Sequence, residues 1–238
     1  YCFTTAQQPL NPMTTKTPLD LPILYSLRRC PYAMRARLGI LLANQQVLIP
    51  EIVTKDKPEE LLECSPKGTV PVLVLSDGKV IEQSLQVMVW ALELNDPQDL
   101  LRQSDNEAHR NVFELIEEND NIFIGHLEQY RAAVRYHNED LVDRRTLCEE
   151  FLTKLETRLK QGNGYPNKSY LFGDTPSVAD YAIVPFISQF ARVEKKWFNQ
   201  SRYIGVQAWL RNILDSALYS KTMKAYPLWN ESKQDMVF

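Results

Sequence analysis

One cysteine of the chain, Cys30, has surroundings typical of a reactive thiol. It follows an apolar run and directly precedes Pro31, and proline is favoured at the first position of a helix. Cys30 is therefore predicted to be a helix N-cap, where free backbone N–H groups and the helix dipole lower the pKa of a thiol. Arg28 and Arg29 add positive charge nearby. The pattern predicts a nucleophilic cysteine, and the alternative is a buried structural thiol.

Two other short motifs could hold a ligand. Pro71 interrupts an apparent strand, although proline cannot donate a hydrogen bond to a sheet. Either the Val70–Pro71 bond is cis and the Val70 backbone faces a ligand, or Pro71 is an ordinary trans residue on an edge strand. Gln83 and Ser84 precede a helical pattern, so Ser84 marks either a carboxylate site at a helix start or a plain N-cap.

The segments that carry these motifs alternate between strand-like and helical patterns. Apolar, β-rich runs predict four strands, and good helix formers with apolar spacings of three and four predict three helices. The predicted order is β-α-β-α-β-β-α, typical of a small α/β domain over residues 21–95. The predicted strands are 21–25, 47–53, 69–75 and 79–82, and the helices are 31–43, 57–63 and 84–94.

The rest of the chain divides into three parts. Residues 1–20 are polar and rich in Thr and Pro, and we expect a flexible lead-in, with Met13 as a candidate natural start. Residues 96–104 contain a polar, proline-bearing break and are predicted to be a linker. Residues 105–238 are helical in pattern and predict an all-α domain. The predicted fold class is therefore α/β plus all-α.

Composition excludes several classes of function. The 238 residues carry a net charge of −3 and only 8 glycines, with neither nucleotide-binding glycine motif, so nucleic acid and nucleotides are disfavoured. No apolar run approaches the roughly 20 residues of a membrane span. Four scattered cysteines and three isolated histidines show no metal-ligand spacing. The cysteines predict reduced thiols, a cytoplasmic location and no metal.

The motifs together resemble the glutathione transferases, closest to the cysteine-type classes and the omega class in particular. The resemblance spans residues 21–225, with a thioredoxin-like N-terminal domain and a helical C-terminal domain. Its motifs are Cys30-Pro-Tyr-Ala-Met-Arg-Ala-Arg37, Lys57-Pro-Glu, Gly68-Thr-Val-Pro-Val-Leu73, Gln83-Ser84 and Ser177-Val-Ala-Asp180. The last is the family's capping box at the start of a central helix.

The resemblance implies a role for each site residue. Cys30 would hold the glutathione sulfur, and Tyr32 would lie at the mouth of the site. Lys57 would meet the glycine carboxylate, and the Val70 backbone, beside a cis Pro71, would pair with the cysteinyl part. Gln83 and Ser84 would bind the γ-glutamyl end, although Gln83 replaces the usual omega glutamate. A second substrate would lie between the domains, with Phe123, Tyr130 and Phe186 as candidate walls; the alternative for each aromatic is core packing.

The expected activity follows from a lone cysteine. Position 33 is Ala, so there is no resolving cysteine, and Cys30 would exchange a mixed disulfide with glutathione. We expect a cytosolic glutathione-dependent thiol transferase or reductase acting on small disulfides or dehydroascorbate-like oxidants, with weaker conjugation to electrophiles and the homodimer common in the family. The alternatives are a non-catalytic interaction module on the same fold and, less favoured, a membrane-inserting relative.

Overall fold

A small sheet flanked by helices forms the N-terminal half of the computed structural model, which describes residues 21–238. Three antiparallel strands lie in the order β1-β2-β3. Alternation along the strands sends Leu24, Leu73 and Ile81 into the main core on one face and Tyr25 and Val72 into a smaller core on the other. The elements are β1 (Ile23–Tyr25), α1 (Pro31–Leu42), α2 (Glu59–Cys64), β2 (Val72–Val74), β3 (Val80–Ile81) and α3 (Ser84–Leu94).

The strand predicted at residues 47–53 is present only as an interrupted parallel pairing with β1. Isolated bridges join Ile23 to Leu48 and Ser26 to Glu51. The hydrogen bond between them would require an N–H at position 50, and Pro50 has none. The pairing consists of Leu48 N to Pro22 O at 2.8 Å, Leu24 N to Leu48 O at 2.7 Å, Ser26 N to Pro50 O at 3.1 Å and Ile52 N to Ser26 O at 2.9 Å.

Helices α1 and α3 pack closely because α1 contains Gly39. A Cβ at this position would lie 2.5 Å from the Met88 Cα, inside any allowed contact distance. The glycine therefore sets how near α1, with Cys30 at its start, lies to α3.

The second half of the chain is built of helices around α7. Its amphipathic helices place their apolar faces toward a core that includes α7, in which twelve of the sixteen residues are buried. The predicted capping box is present, because the Asp180 carboxylate accepts the Ser177 N–H at 2.8 Å. The elements are α4 (Asn106–Glu118), a π-helical turn (Asn119–Phe123), α5 (Ile124–Tyr136), α6 (Leu141–Leu159), α7 (Val178–Val193), α8 (Lys195–Gln200), α9 (Ile204–Leu214), α10 (Ala217–Thr222) and α11 (Trp229–Ser232).

The C-terminal segment, residues 226–238, returns to the N-terminal half, which an all-α prediction for residues 105–238 does not anticipate. Val237 pairs antiparallel with Leu48, so this segment covers the free edge of the strand-like residues 47–49. Phe238 N donates to Val47 O at 2.9 Å, and Ile49 N donates to Met236 O at 2.9 Å. The predicted lead-in, residues 1–20, lies outside the described residues. Within residues 21–238, no helix combines the length and apolarity needed to cross a membrane.

Candidate active site

Cys30 lies at the N-cap of α1, as the Cys-Pro step predicts, with extended backbone and Pro31 as the first helical residue. A short turn connects it to β1, so the end of the strand and the start of the helix fix its position. Its side chain is half-buried and points to the main chain of the second motif, with Sγ 3.8 Å from the carbonyl O of Val70. The fold therefore brings together two motifs that are forty residues apart.

The pKa of Cys30 differs from the sequence-based prediction. Burial raises the pKa above the ordinary thiol value, while the backbone N–H groups of Ala33 and Tyr32 and the Arg37 guanidinium lower it by less. The Cys30 side chain makes no cap hydrogen bond. The expectation of a lowered pKa is therefore wrong for the free protein, because loss of solvent around the sulfur outweighs the helix start.

Arg37, a residue that sequence reasoning missed, supports the turn before Cys30. Its side chain is fully buried, forms an ion pair with Glu51 and donates from Nε to Ser26 Oγ at 2.7 Å. Glu51 Oε1 in turn accepts the Arg28 backbone N–H at 2.6 Å. This Arg37–Glu51 pair connects the end of β1 to the middle of α1. The available signal was a pair of arginines, 35 and 37, within an otherwise apolar helix.

The second motif lies directly opposite Cys30. The Val70–Pro71 peptide bond is cis, the first of the two forms considered from the sequence. Lys57 lies next to this segment: a Cβ built on Gly68 would be 3.0 Å from Lys57 Nζ, and Gly68 has a φ of +59° that favours glycine. Lys57, Val70 and Cys30 therefore share one end of the sheet.

The third motif, Gln83-Ser84, begins α3 where β3 ends. Gln83 is the N-cap and makes no side-chain cap hydrogen bond, so the first N–H groups of this eleven-residue helix have no side-chain partner among the described residues. Gln83 is exposed and Ser84 is buried. The carboxylate of the neighbouring Glu82 accepts a hydrogen bond from Ser65 Oγ at 2.6 Å. A helix start of this kind favours a negatively charged group.

Tyr32 stands on the other side of Cys30, facing the helical half. Its ring packs edge-on against Phe186, with centroids 5.0 Å apart, and is 36% exposed. Burial raises the pKa of its hydroxyl, with further increases from the carboxylates of Glu128 and Asp120. Tyr32 therefore lies where the first turn of α1 contacts helix α7.

The aromatic residues proposed as walls of a second-substrate pocket lie in the core. Phe123, Tyr130 and Phe186 are exposed by 1% or less. Phe123 stacks on Phe151, and Tyr130 donates its hydroxyl to Glu194 at 2.6 Å. Phe186 lies beneath the Arg35 guanidinium, 4.6 Å from the ring centroid. Their apolar area is used for packing, so these side chains do not line an open pocket here.

An open groove lies instead between the first turn of α1, helix α5 and helix α7. It has a volume of about 670 Å³, and Arg29, Pro31 and Met34 form its α1 side. Arg29 and Pro31 flank Cys30 in sequence. Residues 21–238 contain no cluster of three His, Cys, Asp or Glu side chains that could hold a metal ion.

Comparison with known proteins agrees with this geometry. The family model described as "Glutathione S-transferase, N-terminal domain" matches residues 24–99 and the corresponding C-terminal domain model matches residues 139–212, together more than half of the chain. Glutathione S-transferase omega-1 of Sus scrofa is 28% identical over 180 residues, which cover 74% of this chain and 70% of that protein.

Solved structures share the fold at lower identity. A glutathione transferase family member from Pseudomonas fluorescens, determined with two glutathione molecules bound, superposes with a TM-score of 0.73 at 14% identity and covers 88% of this chain and 95% of its own. Leishmania TDR1, described as a trimeric glutathione transferase, superposes with a TM-score of 0.71 at 20% identity, covering 87% of this chain but 46% of that one. The chain belongs to the glutathione S-transferase family.

Proposed function

We propose that this protein is a cysteine-type glutathione transferase whose Cys30 forms a mixed disulfide with glutathione. The observation that carries the proposal is Cys30 at the N-cap of α1, with Sγ 3.8 Å from the Val70 carbonyl. This places a thiol at the start of a helix and beside a main-chain segment that a peptide-like ligand could pair with. The omega-1 relative supports a cysteine-type class.

Glutathione would extend from Cys30 along the sheet end. The Val70 backbone would pair with its cysteinyl part beside Pro71, and Lys57 would meet its glycine carboxylate. The γ-glutamyl carboxylate would lie at the start of α3, against Ser84 and Gln83, where backbone N–H groups have no side-chain partner within residues 21–238. Glutathione bound to the Pseudomonas fluorescens structure supports the choice of ligand.

The proposed reaction is a thiol–disulfide exchange in two steps. The Cys30 thiolate attacks the glutathionyl sulfur of a mixed disulfide R–S–S–G, the Cys30–glutathione disulfide forms, and R–S⁻ leaves and takes a proton from solvent. The thiolate of a second glutathione then attacks the glutathionyl sulfur, forms glutathione disulfide and releases the Cys30 thiolate. Dehydroascorbate-like oxidants would be reduced at the same sulfur by two glutathione molecules.

Conjugation to electrophiles is proposed as the weaker activity, because neither hydroxyl near the end of β1 is free to activate glutathione. Tyr25 is buried on the α2 side of the sheet, and burial, with the nearby Cys64, Glu60 and Glu63, raises its pKa to about 12. Ser26 is fully buried, and its Oγ accepts a hydrogen bond from Arg37 Nε at 2.7 Å.

The test is the mass of the protein after incubation with oxidised glutathione. We expect one glutathionyl group, located at Cys30 by peptide mapping, and loss of both the adduct and disulfide reduction in Cys30→Ser. Cys64→Ser is the matched control and should retain both. A protein that forms no adduct and is not retained on immobilised glutathione would contradict the proposal and favour a non-catalytic interaction module.

A further inference from the structure

The groove beside α1 is rich in arginine. Arg29 from the turn before α1, Arg131 and Arg135 from α5, and Arg192 from α7 all line it, against one acidic residue, Glu128. The groove therefore gathers four positive charges and one negative charge in a chain whose formal charge is −3. Charge concentrated in a concave surface attracts ions of opposite sign.

These four arginines differ from the arginines that stabilise the fold. Within residues 21–238, none of their guanidinium groups makes an ion pair or a side-chain hydrogen bond. Arg35 of α1, by contrast, forms two hydrogen bonds to the Asp120 carboxylate, at 2.6 and 2.7 Å. Glu128 does not lie within ion-pair distance of any of the four, so their charges are left for a ligand.

The groove fits a small molecule rather than a macromolecule. Its volume of about 670 Å³ lies within the usual range for small-molecule sites, and three separate elements form its walls. Arg29 and Pro31, on either side of Cys30, belong to its wall. A group R that extends from the site of exchange past Arg29 and Pro31 would enter the groove, while the glutathionyl group would extend toward Val70.

We propose that the group R of the mixed disulfide is an organic acid, with two or more carboxylates or a sulfonate, which these four arginines bind. This inference rests on the proposed function of Cys30. In the exchange step, the bond between the R and glutathionyl sulfurs breaks, the bond from Cys30 to the glutathionyl sulfur forms, and the anionic thiolate R–S⁻ leaves from within the groove. The guanidinium groups would stabilise the developing negative charge as well as the acid groups.

The kinetic test compares three mixed disulfides of glutathione in which R is mercaptosuccinate, mercaptoethanol or cysteamine. We expect kcat/KM for the mercaptosuccinate compound to exceed that for the mercaptoethanol compound about tenfold, as two exposed ion pairs would give, and the cysteamine compound to be slowest. In the double variant Arg131→Gln/Arg192→Gln this preference should disappear, so that kcat/KM for the mercaptosuccinate compound falls to that for the mercaptoethanol compound. The control variant Lys160→Gln/Lys221→Gln also loses two positive charges, but outside the groove, and should retain the preference for the mercaptosuccinate compound.

A binding test separates failure of this inference from failure of the proposed function. Calorimetry with (methylthio)succinate, a dianion that cannot exchange, should show binding that its dimethyl ester lacks and that Arg131→Gln/Arg192→Gln loses. Equal binding of dianion and ester, or a charge preference that survives in the double variant, would overturn the anionic site even if Cys30 is active. Binding of the dianion with no turnover of any disulfide would support the site and overturn the role of Cys30.

Discussion

Two opposite influences act on the sulfur of Cys30. Burial near the Val70 carbonyl favours the neutral thiol, whereas the helix start and the Arg37 guanidinium favour the thiolate, and burial is the larger effect. At neutral pH the free protein therefore holds mainly the thiol. Thiol–disulfide exchange requires the thiolate, so the proposed activity should increase with pH.

The pH dependence of alkylation tests this balance. In the Cys64→Ala background, the rate at which iodoacetamide modifies Cys30 should continue to rise above pH 9, since its folded-state pKa is raised above the ordinary value of 9.0. Cys148 is an internal control that should not react, because its side chain is fully buried and burial raises its pKa to about 12. A rate for Cys30 that reaches its plateau below pH 7 would show that the helix start dominates after all.

Sequence reasoning reached the site residues by local pattern but not the forces between distant ones. The Cys30-Pro31 step was enough to predict the N-cap, because proline position is a local property. The direction of the pKa shift depends on how deeply the folded chain buries the sulfur, and Arg37, which opposes the shift, is held by Glu51 on another segment. Likewise, the pattern could not show that Tyr130 packs inward and that Arg131, its neighbour, lines the groove.

Helix α1 is the element on which both halves of the molecule depend. Its N-cap carries Cys30, Arg35 binds Asp120 of the π-helical turn and the Ala182 carbonyl of α7, and Gly39 allows close contact with α3. Arg37, on the opposite side, pairs with Glu51 and donates to the Thr222 carbonyl at 3.3 Å. A change in the position of α1 would therefore move Cys30 relative to both halves.

Glu51→Gln tests the contribution of the buried ion pair to this arrangement. The substitution leaves the fully buried Arg37 charge without its counter-charge, and we expect a loss of about 3 kcal/mol in the free energy of unfolding. The double variant Arg37→Met/Glu51→Leu removes both charges and should be closer to wild type than the single variant. Urea unfolding measures both; equal stability of Glu51→Gln and wild type would show that the pair is not needed.

Helices and strands could be predicted where the pattern that specifies them lies within the segment itself. Helix α3 begins and ends at the predicted residues 84 and 94, since its apolar face is regular. The strand predicted at 47–53 is interrupted because Pro50 removes one hydrogen bond from an otherwise regular pairing. No pattern indicated the π-helical turn at 119–123, which occurs where Asp120 meets Arg35.

Contacts between the two halves occur both in the interior and at the edge of the sheet. Arg35 connects the N-terminal half to the helical half in the interior, and the C-terminal segment connects them at the sheet edge. In that segment, Trp229 N donates to Glu51 O at 2.9 Å, next to the buried ion pair. The N-terminal half therefore obtains part of its sheet from residues 236–238.

Deletion of residues 234–238 tests the second connection. It removes the three backbone hydrogen bonds that join Val47 and Ile49 to Met236 and Phe238, and we expect a loss of about 3 kcal/mol in unfolding free energy, at roughly 1 kcal/mol per bond. The uncovered edge should also promote aggregation, visible as light scattering. Asp235→Ala, at an exposed position, is the control; unchanged stability and solubility after the deletion would contradict this role.

A homodimer is expected on a different surface. Trp90 and Val89 of α3 and Phe113 of α4 line an apolar groove of about 560 Å³, and Leu94 nearby is 58% exposed. An exposed apolar patch of this kind is typical of an interface between subunits. Analytical ultracentrifugation should show a dimer that is weakened by Trp90→Glu. The control Val142→Glu, at an exposed position of α6, should leave the dimer unchanged. A wild-type protein that remains monomeric at high concentration would contradict the expectation.

The pairing of residues 47–49 with the C-terminal segment also affects how the chain folds during translation. Translation runs from residue 47 to residue 238, so the edge of the small sheet stays uncovered while all of the helical half is synthesised. A nascent chain released from the ribosome early would carry an open strand edge, a common starting point for misfolding. We therefore expect the N-terminal half to reach its final structure only after residues 236–238 have left the ribosome, however fast its own helices form.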